Sequence, residues 1–282
     1  MSTPTDALAY DVFVAEPIPQ NATDLVPNGD RRMFSPLSIT LIHGARDAVL
    51  VDPPMTTAQA EAVAAWVAAS GKNVTHIFAT HGHGDHWFTA SLLAERFDAQ
   101  VVASAGTIAQ MHRNVAIRGG FWDRLFPGQI PDSPVTATTV ADNRFELEGH
   151  PLHIIDVGHS DTDDTSILHV PDLGLVVAGD VIYNGVHQFL VESKDGGRDE
   201  WRDAIDIVAG LQPRWIVAGH KNKELDDDAA RTIAETRDYL DAVDELLPKF
   251  DTAEGFFFAM LERFPARLNP GALWGGAVAL FS

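Results

Sequence analysis

The chain of 282 residues contains no cysteine. That one absence removes disulfides, thiolate metal sites and cysteine nucleophiles together. Any metal must then be held by histidine and carboxylate. Basic residues are also scarce, with 20 Lys and Arg against 40 Asp and Glu and a formal charge of −20. Such a surface repels phosphate backbones, so no nucleic-acid partner is expected. No stretch approaches the roughly 18 uninterrupted apolar residues of a membrane span, so no membrane partner is expected either. The opening segment MSTPTDALAYDVFVAEP has no basic n-region and no apolar h-region, and it reads as no secretory signal. The expectation is a cytoplasmic protein acting on a small-molecule substrate.

What is present suffices for one large domain, since 45% of residues are hydrophobic. Residues 10–15, 38–43 and 48–51 read as antiparallel strands, the last two joined by the turn Gly44-Ala45-Arg46-Asp47. Residues 57–69 read as a helix ended by Gly71, followed by a strand over 74–79, a helix over 87–97 and a strand over 100–103. Further strands are expected at 152–157, 166–170, 175–178 and 215–218, with helices at 200–210 and 229–247. Strands in both halves, each flanked by helices, imply an α/β domain of two sheets sandwiched between helices over residues 1–282. Residues 105–134 read as a helix with a packed loop, or as a cap over a pocket. Residues 224–282 form a helical C-terminal extension whose apolar end, 256–281, reads as buried helix, cap or the contact of a homodimer.

The chemistry concentrates in Thr80-His81-Gly82-His83-Gly84-Asp85-His86, three histidines and an aspartate directly after a strand. Loop histidines are often simply solvated, but neutral imidazole is the commonest protein ligand for zinc, and carboxylate oxygen is another. One loop cannot surround an ion. Three more candidates each follow an apolar strand beside a glycine: His159 in Gly158-His159-Ser160, Asp180 in Gly179-Asp180, and His220 in Gly219-His220. Ligand sites in sheet-based α/β folds lie beyond the strands' C-terminal ends, where four such ends can converge.

In these residues the chain resembles the metallo-β-lactamase superfamily, through Asp52, His81-x-His83-x-Asp85-His86, His159, Asp180 and His220. The resemblance runs over residues 40–220 and implies the αβ/βα four-layer sandwich of two mixed sheets. It implies one metal on His81, His83 and His159, a second on Asp85, His86 and His220, and Asp180 bridging both. Asp52 would accept an imidazole N–H behind the ligands and fix a tautomer. All donors are nitrogen or oxygen, which suits two Zn2+ per chain and leaves iron or manganese open.

A metal pair roughly 3.5–4 Å apart shares a bridging hydroxide as nucleophile. The reaction implied is therefore hydrolysis at an acyl carbonyl, with Asp85 both ligand and orienter. β-Lactamases of the superfamily generally carry Cys or Ser where this chain has Asp180, so the resemblance favours the hydrolase branches, such as glyoxalase II-like thioesterases, lactonases and phosphodiesterases. Asp180-Val181-Ile182-Tyr183 matches the spacing of the N-acyl-homoserine lactonases, in which the tyrosine hydroxyl hydrogen-bonds the substrate carbonyl or oxyanion. Tyr183 is a candidate catalytic residue on that ground, and a packed tyrosine otherwise. The alternatives are a glyoxalase II-like thioesterase, a β-lactamase-like amide hydrolase, a phosphodiesterase or nuclease, and an iron-dependent persulfide dioxygenase. No basic glutathione-binding set follows His220, where Lys221-Asn222-Lys223 stands. His187 is read as lining the pocket or as a core histidine. Asp161, Asp163 and Asp164 are read as partners behind His159 or as a solvated turn.

Overall fold

Strands that are apolar on both faces must lie between two other layers, and that demand organises the chain. The computed structural model describes residues 7–134 and 136–282. The reading of the N-terminal leader falls partly on residues 1–6, outside the described residues. The first sheet contains β1 (Ala9–Ala15), β2 (Leu37–His43), β3 (Asp47–Val51), β4 (Asn73–Phe78) and β5 (Gln100–Val102), in that spatial order. The second contains β6 (Arg144–Leu147), β7 (His150–Gly158), β8 (Thr165–Val170), β9 (Leu175–Asn184) and β10 (Trp215–Lys221), in the order β10-β9-β8-β7-β6. Both sheets are mixed. β1, β2 and β3 pair antiparallel while β3, β4 and β5 pair parallel. β6 to β9 are antiparallel, and β10 lies parallel to β9.

The inner faces of the two sheets meet in one core, where Ile42, Val51 and Phe78 pack against Leu152, Leu168 and Val177. Burying each such side chain fully is worth about 1.5–3 kcal/mol. Helices α1 (Thr57–Ser70) and α2 (Ala90–Phe97) cover the outer face of the first sheet through Val63, Val67 and Leu93. Helices α5 (Gly197–Gly210), α6 (Ala229–Leu246), α7 (Ala253–Arg263) and α8 (Pro270–Leu280) cover the second. The result is the αβ/βα sandwich. Between β5 and β6 in the chain lie α3 (Ala105–Ile117) and the single turn α4 (Trp122–Leu125), packed on the residues after β4 through Met111 and Trp122. The C-terminal apolar segment is buried helix, with Phe256, Phe257, Met260 and Leu273 in the second sheet's outer core.

Three local expectations are corrected. The helix expected from Trp87 starts at Ala90, because Asp85 and His86 occupy a 3-10 turn over Gly84–His86. Trp87 leaves helical geometry at φ −161 and ψ −9, with its indole N–H donating to the Gly82 carbonyl at 2.9 Å. Strands β9 and β10 do not stop before Gly179 and Gly219 but run on to Asn184 and Lys221. The register between them shifts at Ala218 and again before His220, so the glycines mark bulges and not ends. Strand β6 went unread, being four residues long with every second one exposed.

Candidate metal centre

The centre is built from behind. Asp52 directly follows β3 in the left-handed region at φ 55. Its carboxylate accepts the Thr80 backbone N–H at 2.8 Å and the Thr80 hydroxyl at 2.9 Å. The hydroxyl, its proton spent on Asp52, lies 3.0 Å from His81 Nδ1 and can accept from it. That assigns the Nδ1–H tautomer to His81 and leaves Nε2 as the donor facing inward. His86 Nδ1 lies 3.1 Å from the same Asp52. Across the site, His220 Nδ1 is 2.8 Å from the Pro36 carbonyl, which can only accept, so His220 also turns Nε2 inward.

Glycine is required at two positions. Gly179 has φ 51, and a Cβ there would lie 2.3 Å from Thr80 Oγ1. A Cβ on Gly219 would lie 2.1 Å from Asp180 Oδ1 and 2.9 Å from His86 Cε1. Both bulged strands therefore approach the His81–His86 turn with nothing between the backbones and the donor groups.

Three sets of donors result, each with its atoms within 4.8 Å of one another: His81, His83 and Asp161; His81, His86 and Asp180; and Asp85, His86 and His220. Sharing His81 and His86 makes them one continuous cluster. His86 Nε2 lies 3.3 Å from Asp85 and 3.5 Å from Asp180, and His220 Nε2 lies 3.4 Å and 3.3 Å from the same two carboxylates. Of the expected ligands, His81, His83, Asp85, His86, Asp180 and His220 are thus brought together. His159 joins none of these sets. Its Nδ1 lies 2.7 Å from Asp163 Oδ1, and its Nε2 rests against Gly197, where a Cβ would come within 2.9 Å.

The donor chemistry fits divalent cations. His81 Nε2, His86 Nε2, Asp161 Oδ2 and Asp180 Oδ1 are all buried and make no hydrogen bond. Polar atoms in that state are costly unless something compensates them. The protonation landscape points the same way. Burial, with the charge of His86, holds the His81 imidazole well below its usual value. Burial also opposes a charged His220, but Asp180 and Asp85 outweigh it and raise this imidazole to about 10. Burial pushes the Asp161 carboxyl up to about 6 against the pull of His83, with Asp180 adding to the rise. Packed carboxylates and inward lone pairs of this kind call for positive charge.

Tyr183 is fully buried, and its hydroxyl donates to Asp180 Oδ2 at 2.6 Å. Its proton is therefore directed at a carboxylate of the cluster, which accepts it, and not at open space. His187 is buried behind β9 with Nδ1 3.0 Å from the Tyr239 hydroxyl, and it is absent from the pocket wall. Glu192 was missed by sequence reasoning. It lies 3.1 Å from His83 Nε2 and accepts the Thr162 hydroxyl at 2.9 Å, yet stands in no motif. The donors floor a cavity of about 630 Å3 whose wall includes His83, Asp85, Asp180, Tyr183 and His220. Helix α3 with α4 forms one side through Asn114, Ile117, Trp122 and Leu125, and α8 another through Ala272 and Gly275.

Residues 33–220 match the family profile described as the metallo-beta-lactamase superfamily. A hydroxyacylglutathione hydrolase of Rhizobium meliloti (strain 1021) is 27% identical over 114 residues, 40% of this chain and 36% of that protein. The match thus spans about a third of that relative's length. Among solved structures, a metallo-beta-lactamase family protein from Thermus thermophilus superposes with a TM-score of 0.63 at 19% identity, covering 95% of this chain and 91% of that one. A beta-lactamase domain protein from Burkholderia ambifaria gives 0.62 at 15% identity, covering 95% and 84%. At these identities the likeness is one of fold.

Proposed function

The chain belongs to the metallo-beta-lactamase superfamily, and from that premise we propose that it is a metal-dependent hydrolase of acyl bonds, acting on a lactone or ester through two zinc ions. The observation that carries the reading is the convergence of buried, uncompensated donors on the floor of a cavity with an aromatic and aliphatic wall. Phe34, Ile117, Phe121, Trp122, Leu125 and Phe189 supply that wall, which suits a substrate with an apolar portion. Held by these histidines and aspartates, divalent cations would supply Lewis-acid chemistry, lowering the pKa of a water and polarising an acyl carbonyl.

The chain's own residues do the rest. Asp85 stands between His86 and His220, which hold its carboxyl well below the usual range although burial opposes this. It is ionised at every working pH and can orient a water at the cavity floor. Tyr183 acts as a positioning residue, its hydroxyl clamping Asp180. The match to a hydroxyacylglutathione hydrolase favours a second reading, a thioester as the scissile bond.

A panel of lactones, aryl esters, thioesters, β-lactams and bis-p-nitrophenyl phosphate, offered to zinc-loaded protein, separates these readings. Lactone or ester turnover that vanishes in Asp85→Asn is expected. Turnover of the phosphodiester alone, or oxygen uptake by an iron-loaded protein with no hydrolysis, overturns the proposal.

A further inference from the structure

We propose that Glu192 is a positioning residue of the centre. It takes the Nε2–H of His83, so that Nδ1 is the nitrogen offered to an ion, and it ties that imidazole to the loop that carries His159. The inference rests on the reading of the cluster as a metal centre, and it adds a residue that stands outside every donor set.

An imidazole gives a lone pair to a cation from one nitrogen while the other carries a proton. At His81 and His220 the Thr80 hydroxyl and the Pro36 carbonyl make that choice, and both leave Nε2 facing inward. His83 is turned the other way round. Its Nε2 lies 3.1 Å from Glu192 Oε1, a carboxylate oxygen that accepts, which places the proton on Nε2. Nδ1 is left facing the cluster, 3.0 Å from Asp161 Oδ2. The Phe189 ring stands at 86° to the imidazole with centroids 5.6 Å apart, which limits how far His83 can swing.

The chain fixes Glu192 before it reaches across. It lies between β9 and α5 in a turn where Ser193 donates its backbone N–H at 3.2 Å and its hydroxyl at 2.9 Å to the Leu190 carbonyl. Leu190 and Ser193 are buried, and Arg198 near the start of α5 donates to the Ser193 carbonyl at 2.8 Å. The backbone is therefore pinned on both sides of the glutamate. Its second oxygen, Oε2, accepts the Thr162 hydroxyl at 2.9 Å. Thr162 belongs to the loop after β7, which reverses where the Ser160 N–H donates to the Thr162 carbonyl at 2.9 Å. That loop carries His159, whose Nε2 is buried without a partner and abuts Gly197. One carboxylate thus joins the turn after β4 to the loop after β7, the segments that present His83 and His159.

Both oxygens are engaged although the side chain borders the cavity. That suits orienting a ligand, not exchanging a proton with substrate. A charged acceptor behind an imidazole also raises its basicity, and so its strength as a donor.

Equilibrium dialysis of the full chain against Zn2+, with visible spectra of the Co2+-loaded protein, tests this without any substrate. In Glu192→Ala one of two ions should bind roughly 10–100-fold more weakly, with the other unchanged and the Co2+ spectrum shifted. Glu192→Gln keeps an oxygen for the His83 N–H and an amide for the Thr162 hydroxyl, so it should recover most of that affinity. Thr162→Val cuts only the tie to the loop and should lose less than Glu192→Ala. Equal affinities in the wild type and Glu192→Ala overturn the positioning role and leave the hydrolase reading standing. So does a loss shared by both ions that Glu192→Gln does not restore. A wild type that binds no metal overturns both.

Discussion

The two sides of the donor cluster are built by opposite means. On the side of the first sheet, His81, His83, Asp85 and His86 come from a single turn after β4, braced by one carboxylate, Asp52. On the side of the second sheet, Asp161, Asp180 and His220 come from one loop and two different strands. There the placing is done by a loop reversal, a positive-φ glycine and two register shifts. A compact turn needs little beyond local hydrogen bonds, whereas the opposite side is only as good as the packing of the whole sandwich. The turn should therefore tolerate changes to distant packing, and the strand side should not.

The strongest way to break this contrast is at Asp180, which the second sheet carries but which reaches the turn's histidines. It shares a donor set with His81 and His86 and also lies 3.3 Å from His220. Asp180→Ala should lose more metal affinity than the roughly 10–100-fold typical of outer partners, and hydrolysis with it. Metal content after dialysis checks this, and two ions retained at wild-type affinity would show that the sides are held independently. A smaller effect is expected from the turn's brace. Asp52→Asn keeps the shape but removes the charge facing His86 and leaves Thr80 with weaker acceptors, so metal affinity should fall about 10–100-fold while the fold survives. An unchanged affinity would mean that the turn holds its own histidines.

The same contrast decides what could be read in advance. The turn was legible because its donors lie within six residues, and the two sheets were legible because apolar runs alternate with turn residues. Asp180 and His220 were legible as polar residues beside a glycine after apolar strands, Asp52 only through the resemblance, and the structure brings all three to the cluster. Gly179 and Gly219 were read as strand ends because a glycine beside a polar residue usually is one. Only the pairing of β9 with β10 reveals that the strands continue through a bulge. Glu192 reaches His83 from 109 positions away, a contact that only the assembled fold creates.

On the strand side, Tyr183→Phe sharpens the comparison by removing one hydroxyl and little volume. The hydrogen bond it donates reaches a buried carboxylate, a class worth about 1.5–3 kcal/mol. Thermal unfolding should show a loss of that order, with metal still bound. If stability is unchanged and only substrate turnover falls, the hydroxyl acts on substrate and not on Asp180.

The smallest effect at neutral pH is expected at His187, which scaffolds the strand side without touching the donors. Burial, helped by the charge of Arg267, lowers this imidazole from 6.5 to about 3. Between those values the unfolded chain binds a proton that the folded chain refuses. Unfolding therefore becomes more favourable as pH falls through the window, and stability rises again as pH climbs toward 6.5. One group contributes a slope of at most about 1.4 kcal/mol per pH unit. His187→Asn removes the titration, so stability measured in chelator should depend less steeply on pH below 6.5 than in the wild type, with both near their plateau above it. Equal slopes in the two proteins would place the acid sensitivity in the carboxylates of the cluster, and the strand side would then be no more pH-dependent than the turn.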